Sequence, residues 1–222
     1  MSISSSKRHN RLSGVVNEFA DDLTDLFNGS ITDGIPITPY VAWEGFGYVG
    51  YQITASNKKG LPIPIRLHGA EGDFQMWIMY TLDLDDDEES LLIVKSGFVL
   101  EFVDGELIKR YEFDLDNPNE YPNPHLHIGG NSDVADRLLK LIGRLKDKFE
   151  DFHIAVGGEL DEPTPAVIIQ FLFSEDVTPV KSTCQDAINT FRNKYRDLKV
   201  KAVVRRHSDL ARKELKRIGY FA

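Results

Sequence analysis

Cysteine is almost missing from this chain: Cys184 is the single one among 222 residues, so neither an internal disulfide nor a cysteine-based zinc cluster can form. A chain without disulfides fits a reducing cytoplasm, and a cytoplasmic location is expected. Long hydrophobic runs are also lacking. Short ones such as Val167-Ile168-Ile169 and Phe171-Leu172-Phe173 fall far below the ~20 apolar residues of a membrane-spanning helix. Residues 1–12 hold no apolar run that would make a secretory signal, and they are expected to be flexible. No internal repeat occurs.

What is present is ordinary globular material. Hydrophobic residues make up 41% and are spread along the chain, enough for one core. A single soluble α+β domain over 1–222 is the expectation. The net charge of −9 is unevenly placed. Residues 192–217 contain eleven Lys or Arg and three acids, which gives +8 there and −17 over the remainder. A separation of this kind serves nucleic acid, an acidic partner or self-contact. The candidate contacts are Arg192, Lys194, Arg196, Arg205, Arg206, Arg212 and Lys213, within a basic helical segment over 181–222.

Periodicity predicts a helix over 13–28, with Val15, Phe19, Leu23, Leu26 and Phe27 on one face. From about 35 to 128 the pattern is that of strands in a mostly antiparallel sheet, and beyond it the C-terminal half is helical. Predicted strands cover 35–40, 43–51, 63–68, 74–84, 91–103 and 106–115, the last two joined by an Asp104-Gly105 turn. Gly45, Gly47 and Gly50 match the spacing of a dinucleotide loop, but they lie in a strand pattern with no helix following. The acidic run 83–89 lacks the glycine and terminal Glu of a calcium loop. Further on, helices are expected at 132–149, 165–174 (Thr164 as cap, Pro165 at the first position), 181–196 and, in two pieces, 200–218. A short strand is expected at 152–156.

The densest chemistry lies in Tyr121-Pro122-Asn123-Pro124-His125-Leu126-His127-Ile128-Gly129-Gly130-Asn131-Ser132. On a strand, His125 and His127 share one face. That suits two imidazoles on one ion, or a general acid with a general base. The glycines and the helix start after them offer unpaired N–H groups to an anion, although Ser132 or Asp133 can cap that helix. Arg110, Lys109 and Tyr111 of the preceding strand could bring charge and a hydroxyl. His153 is a possible third imidazole and His68 a fourth, whereas His9 and His207 read as surface residues. A zinc site needs three or four ligands. Spacing fixes no third one, so no metal ligand is assigned.

The tract Arg110-Tyr111-Glu112-Phe113-Asp114, followed by Pro124-His125-Leu126-His127-Ile128, resembles a signature of small prokaryotic domains in which a Tyr-containing acidic strand precedes a Pro-His-x-His strand. Some of these are associated with toxin–antitoxin loci, and the resemblance, covering about 110–130, implies an RNA-directed activity. The segment is also similar to histidine-triad nucleotide hydrolases, with Gly129 where their third histidine stands. Two-histidine phosphoesterases use separated His-x-Ser/Thr motifs, and His153-Ile154-Ala155 lacks the hydroxyl. Two readings follow. In the first, the chain is a phosphodiester- or nucleotide-directed hydrolase, a toxin-like ribonuclease. His125 and His127 then act as acid and base, Arg110 stabilises charge and Tyr111 orients a group. In the second, it is a non-enzymatic accessory protein that recruits a partner or nucleic acid through its basic C-terminal helices.

Overall fold

Leu12, Val16, Phe19, Leu23, Leu26 and Phe27 recur every three or four residues and are almost fully buried. That stripe makes the first helix one long amphipathic rod, α1 (Ile3–Ser30). It starts ten residues before the expected position and takes in most of the stretch expected to be flexible. Leu12 already belongs to the buried stripe, and Val16 rather than Val15 continues it. The structure is a computed structural model. It describes residues 3–67, 70–85, 90–115, 124–130, 132–141, 148–151, 153–156 and 164–220, with backbone alone at 3–5, 67, 70–73, 134–136, 202 and 206.

The strands are β1 (Ile37–Val41), β2 (Gly47–Tyr51), β3 (Ile63–Leu67), β4 (Ala70–Leu84), β5 (Leu91–Phe102), β6 (Leu107–Asp114), β7 (His125–Ile128) and β8 (Ile154–Ala155). They form one eight-stranded sheet in the order β1-β2-β4-β5-β6-β7-β8, with β3 pairing β4 beside that path. The described pairings are all antiparallel. The long strand β4 holds this together, since its first half pairs β3 and its second half pairs β2. Residues 43–46 are a turn rather than strand: Ala42 N–H donates to Phe46 O (2.8 Å), and Trp43 is exposed. A Cβ on Gly47 would lie 2.5 Å from Val16 of α1, and one on Gly50 2.4 Å from Ile78 O. Close packing of α1 at Gly47 and of β4 at Gly50 thus explains these two glycines without a phosphate.

Alternation along β4 sends Met76, Ile78, Tyr80, Leu82 and Leu84 to one face. There they join Phe98 and Leu100 of β5 in a core closed by α1, α3 (Pro165–Ser174) and α4 (Cys184–Arg206). Thr164 and Pro165 start α3 as expected. Cys184, Ile188 and Phe191 are buried against α1, and α4 continues without a break to Arg206. There His207 separates it from α5 (Ser208–Arg217), which buries none of its side chains. The expected helix over 132–149 is described as α2 (Asp133–Leu141) and a 3₁₀ turn at Phe149–Asp151. No described helix is long and apolar enough to cross a membrane.

Candidate functional site

Residues directly opposite each other in neighbouring strands point to the same face of a sheet. In the β6–β7 pair Arg110 lies opposite His127 and Glu112 opposite His125, whereas Tyr111 lies opposite Leu126. Tyr111 and Leu126 belong to the core. The two histidines, Arg110 and Glu112 therefore occupy the other face, away from α1 and α4. The chain returns beside them as β8, with His125 opposite Ala155, and this brings His153 to the pair. The three imidazole centroids are 5.0 Å (125–127), 4.8 Å (125–153) and 4.6 Å (127–153) apart. Their ligand nitrogens lie within 4.8 Å of one another, which makes the cluster able to hold a metal ion.

Burial is graded across this cluster. The side chain of His127 is 3% exposed and that of His125 11%, while Glu112 keeps 42% and Arg110 36%. The imidazoles form the floor, and the carboxylate and guanidinium line the opening to solvent. Glu112 Oε2 is 3.3 Å from Nε2 of both His125 and His127, and 3.6 Å from Arg110 Nε. An ionised carboxylate only accepts, so His125 donates to it from Nε2. His127 Nδ1 donates to the carbonyl of Glu150 at 2.8 Å, from the 3₁₀ turn. A carbonyl also only accepts, which fixes the His127 proton on Nδ1 and leaves the lone pair on Nε2. That Nε2 is buried without a hydrogen-bond partner, as is Arg110 Nε.

Burial lowers the pKa of His127, partly opposed by its bond to Glu150 O, and the Arg110 charge lowers it further. His153 is lowered by burial first and then by His127 and His125. Both rings are thereby kept neutral near pH 7. Between their folded values and the ordinary ~6.5 the unfolded chain binds more protons, so stability rises with pH in that window. Acidification below about 6.5, through the folded values, should thus destabilise the protein. The fall in melting temperature from pH 7.5 to 5.5 should shrink in His153→Gln, and an undiminished fall would contradict this origin.

Not every expected site residue arrives. Tyr111 lines the groove under α4 on the opposite face, where burial raises its pKa, and it cannot orient a group among the histidines. Lys109 shares that face, with Nζ 3.8 Å from the centroid of Phe171. His68 and Asn131 lie outside the described residues. Of the glycine pair, Gly129 has a packing role and Gly130 a conformational one. A Cβ on Gly129 would fall 1.5 Å from Leu107 O, and Gly130 sits at φ +103°. Sequence reasoning, by contrast, assigns no role to Glu112 or to the Glu150 carbonyl. The even residues of β6 already put Glu112 beside Arg110, but a backbone carbonyl leaves no side-chain signal.

The basic segment is divided. Lys194 pairs with Glu18 (2.8 Å) and Asp22 (2.6 Å) of α1, and Arg192 donates to Gln170 and to the Ala166 carbonyl, both at 3.4 Å. Asp22 also accepts from the Tyr195 hydroxyl at 2.6 Å, and burial first, then this bond, raises the tyrosine's pKa. Arg205 pairs with Asp85 at 3.7 Å. Lys194 and Arg205 thus hold α4 to the protein's own acidic groups, and Arg192 holds it to α3. Arg196 is exposed and lies 3.6 Å from its neighbour Asp197, while Arg212 and Lys213 are exposed on α5. For Arg206 the backbone alone is described. No protein-family model, no curated protein and no solved structure matches this chain.

Proposed function

We propose that the protein is a phosphodiester- or nucleotide-directed hydrolase, with RNA the substrate that the resemblance over about 110–130 implies, and that the cluster on the β6–β7–β8 face is its reactive centre. The observation that carries this reading is the meeting of three imidazoles with one carboxylate and one guanidinium, His125 and His127 buried and Glu112 and Arg110 partly exposed. Phosphodiester cleavage needs a group to take the proton from the attacking oxygen and a cation to balance charge on the phosphoryl oxygens. The neighbouring Nε2 of His127 and Oε2 of Glu112 supply the first and hand the proton on to the leaving oxygen as its P–O bond breaks, with His125 holding the carboxylate in place. Arg110, half exposed beside them, supplies the second. Tyr111 has no part in it. Glu112→Gln should lower cleavage of a short RNA by at least ~100-fold, and Tyr111→Phe should stay within about twofold, as expected for a residue outside the proton transfer. Full activity in Glu112→Gln, or its loss in Tyr111→Phe, would overturn the assignment.

A second reading rests on α5, which exposes Arg212 and Lys213 and buries nothing. In it, this helix recruits nucleic acid by charge. Removing 208–222 should leave the melting temperature unchanged, weaken RNA binding and flatten its salt dependence. RNA affinity and salt slope that survive the deletion would exclude a role for α5.

A further inference from the structure

We infer that His125, His127 and His153 are the protein ligands of one divalent transition-metal ion of the zinc class, with Glu112 beside the remaining coordination position. The inference rests on the hydrolase reading for the purpose of the site, and refines it. With one nitrogen of each imidazole committed to the ion, the proton of the attacking water passes to Glu112 alone.

Three arguments support it. The first is number and reach. A catalytic zinc takes three protein ligands and keeps one position open. The three imidazoles offer nitrogens within 4.8 Å of one another. Zn–N bonds of ~2.0–2.1 Å in tetrahedral array would draw those nitrogens to about 3.3 Å, a shift within the reach of side-chain rotation.

The second is the state of His127. The Glu150 carbonyl fixes its proton on Nδ1, so the ring presents a lone pair at Nε2 toward the other two imidazoles. An imidazole held through its second nitrogen by a backbone carbonyl is the arrangement that orients metal-binding histidines. That Nε2 is buried and lacks a hydrogen-bond partner. A buried acceptor left in this condition is unfavourable, and an ion in the cluster removes the deficit.

The third is charge. Glu112 Oε2 stands at 3.3 Å from two of the imidazole nitrogens and offsets the Arg110 cation 3.6 Å away. A site of three neutral nitrogens and one carboxylate selects zinc and its transition-metal neighbours. Magnesium and calcium, which take all-oxygen shells, are disfavoured.

The test is calorimetric titration of the untagged, chelator-stripped full chain with Zn²⁺ at pH 7.5, repeated with Mg²⁺. RNA cleavage is measured on the same samples. Expected are one Zn²⁺ per chain with submicromolar Kd, no Mg²⁺ uptake, and at least 100-fold weaker Zn²⁺ binding in His153→Ala. His9→Ala, far from the cluster, should bind as wild type. Should His153→Ala misfold, Co²⁺ added to the wild-type protein replaces that arm: a tetrahedral nitrogen site yields an intense visible absorption band, and its absence overturns the metal site. No Zn²⁺ uptake, or uptake unchanged in His153→Ala, overturns it equally. Cleavage that persists in chelator without Zn²⁺ uptake would do so and leave the hydrolase reading standing. Tight Zn²⁺ binding with no cleavage of any phosphodiester would do the reverse.

Discussion

His127→Ala should lower RNA cleavage by at least ~100-fold, the scale on which general acid–base groups contribute. His127 is the most enclosed member of the cluster, 3% exposed at the side chain, and it is anchored to the 3₁₀ turn through the Glu150 carbonyl. Its removal withdraws a ring from the reactive centre and leaves that carbonyl without its partner. The second effect costs about 1–3 kcal/mol, or several degrees of melting temperature in a chain of this size. The two consequences separate cleanly. A circular-dichroism melt should show a folded protein with a modestly lower transition, and a cleavage assay run well below that transition should show the large loss. A variant that is folded and cleaves within tenfold of wild type would remove His127 from the chemistry.

Gly129→Ala should be among the most destabilising single changes in the described chain. Its new Cβ would lie 1.5 Å from Leu107 O and 2.3 Å from the carbonyl carbon, both main-chain atoms of β6. No side-chain rotation can relieve that contact, so the strands must part. Gly129 N–H donates to Ile108 O at 3.0 Å, next to the pairing of Ile128 with Lys109 and of His127 with Arg110. The same displacement therefore breaks a sheet hydrogen bond and pulls His127 from Arg110. Overpacking that side chains can absorb costs about 1–3 kcal/mol; a backbone collision should exceed ~3 kcal/mol, or about 6–12 °C. Cleavage should fall with it. Gly130→Ala is the control. Nothing lies within 4 Å of its Cβ position, so strain at φ +103° is the main penalty and should cost about 1–2 kcal/mol. A Gly129→Ala protein melting within about 2 °C of wild type would contradict the β6–β7 contact, since a clash of ~3 kcal/mol cannot be that quiet.

The parts of the fold that depend on local pattern are readable from the residues alone. The α1 stripe, the alternation in β4 and β6, the Thr164-Pro165 start of α3 and the shared face of His125 and His127 all follow from periods of 3.6 and 2. The site requires more. A short turn would have fixed the register of β7 against β6, but some ten residues separate these strands, so nothing local states that His127 meets Arg110. His153 is 26 positions beyond His127, and it arrives because β8 adds itself to β7. Tyr111 shows the opposite case. A period of two already sends Tyr111 and Arg110 to different faces, and placing both in one site sets residue chemistry above geometry. The basic segment misleads in part for a simpler reason: its charge, summed along the chain, leaves out the acids of α1 that Lys194 meets.

Whether this face is a reactive centre at all is tested most directly by incubating the wild-type protein with a labelled single-stranded RNA, with and without added Zn²⁺, and resolving the products by length. Shorter RNA fragments, lost when Glu112 is changed to Gln, are the expected result. RNA that stays at full length in every condition, with DNA and nucleotides equally untouched, would contradict the account.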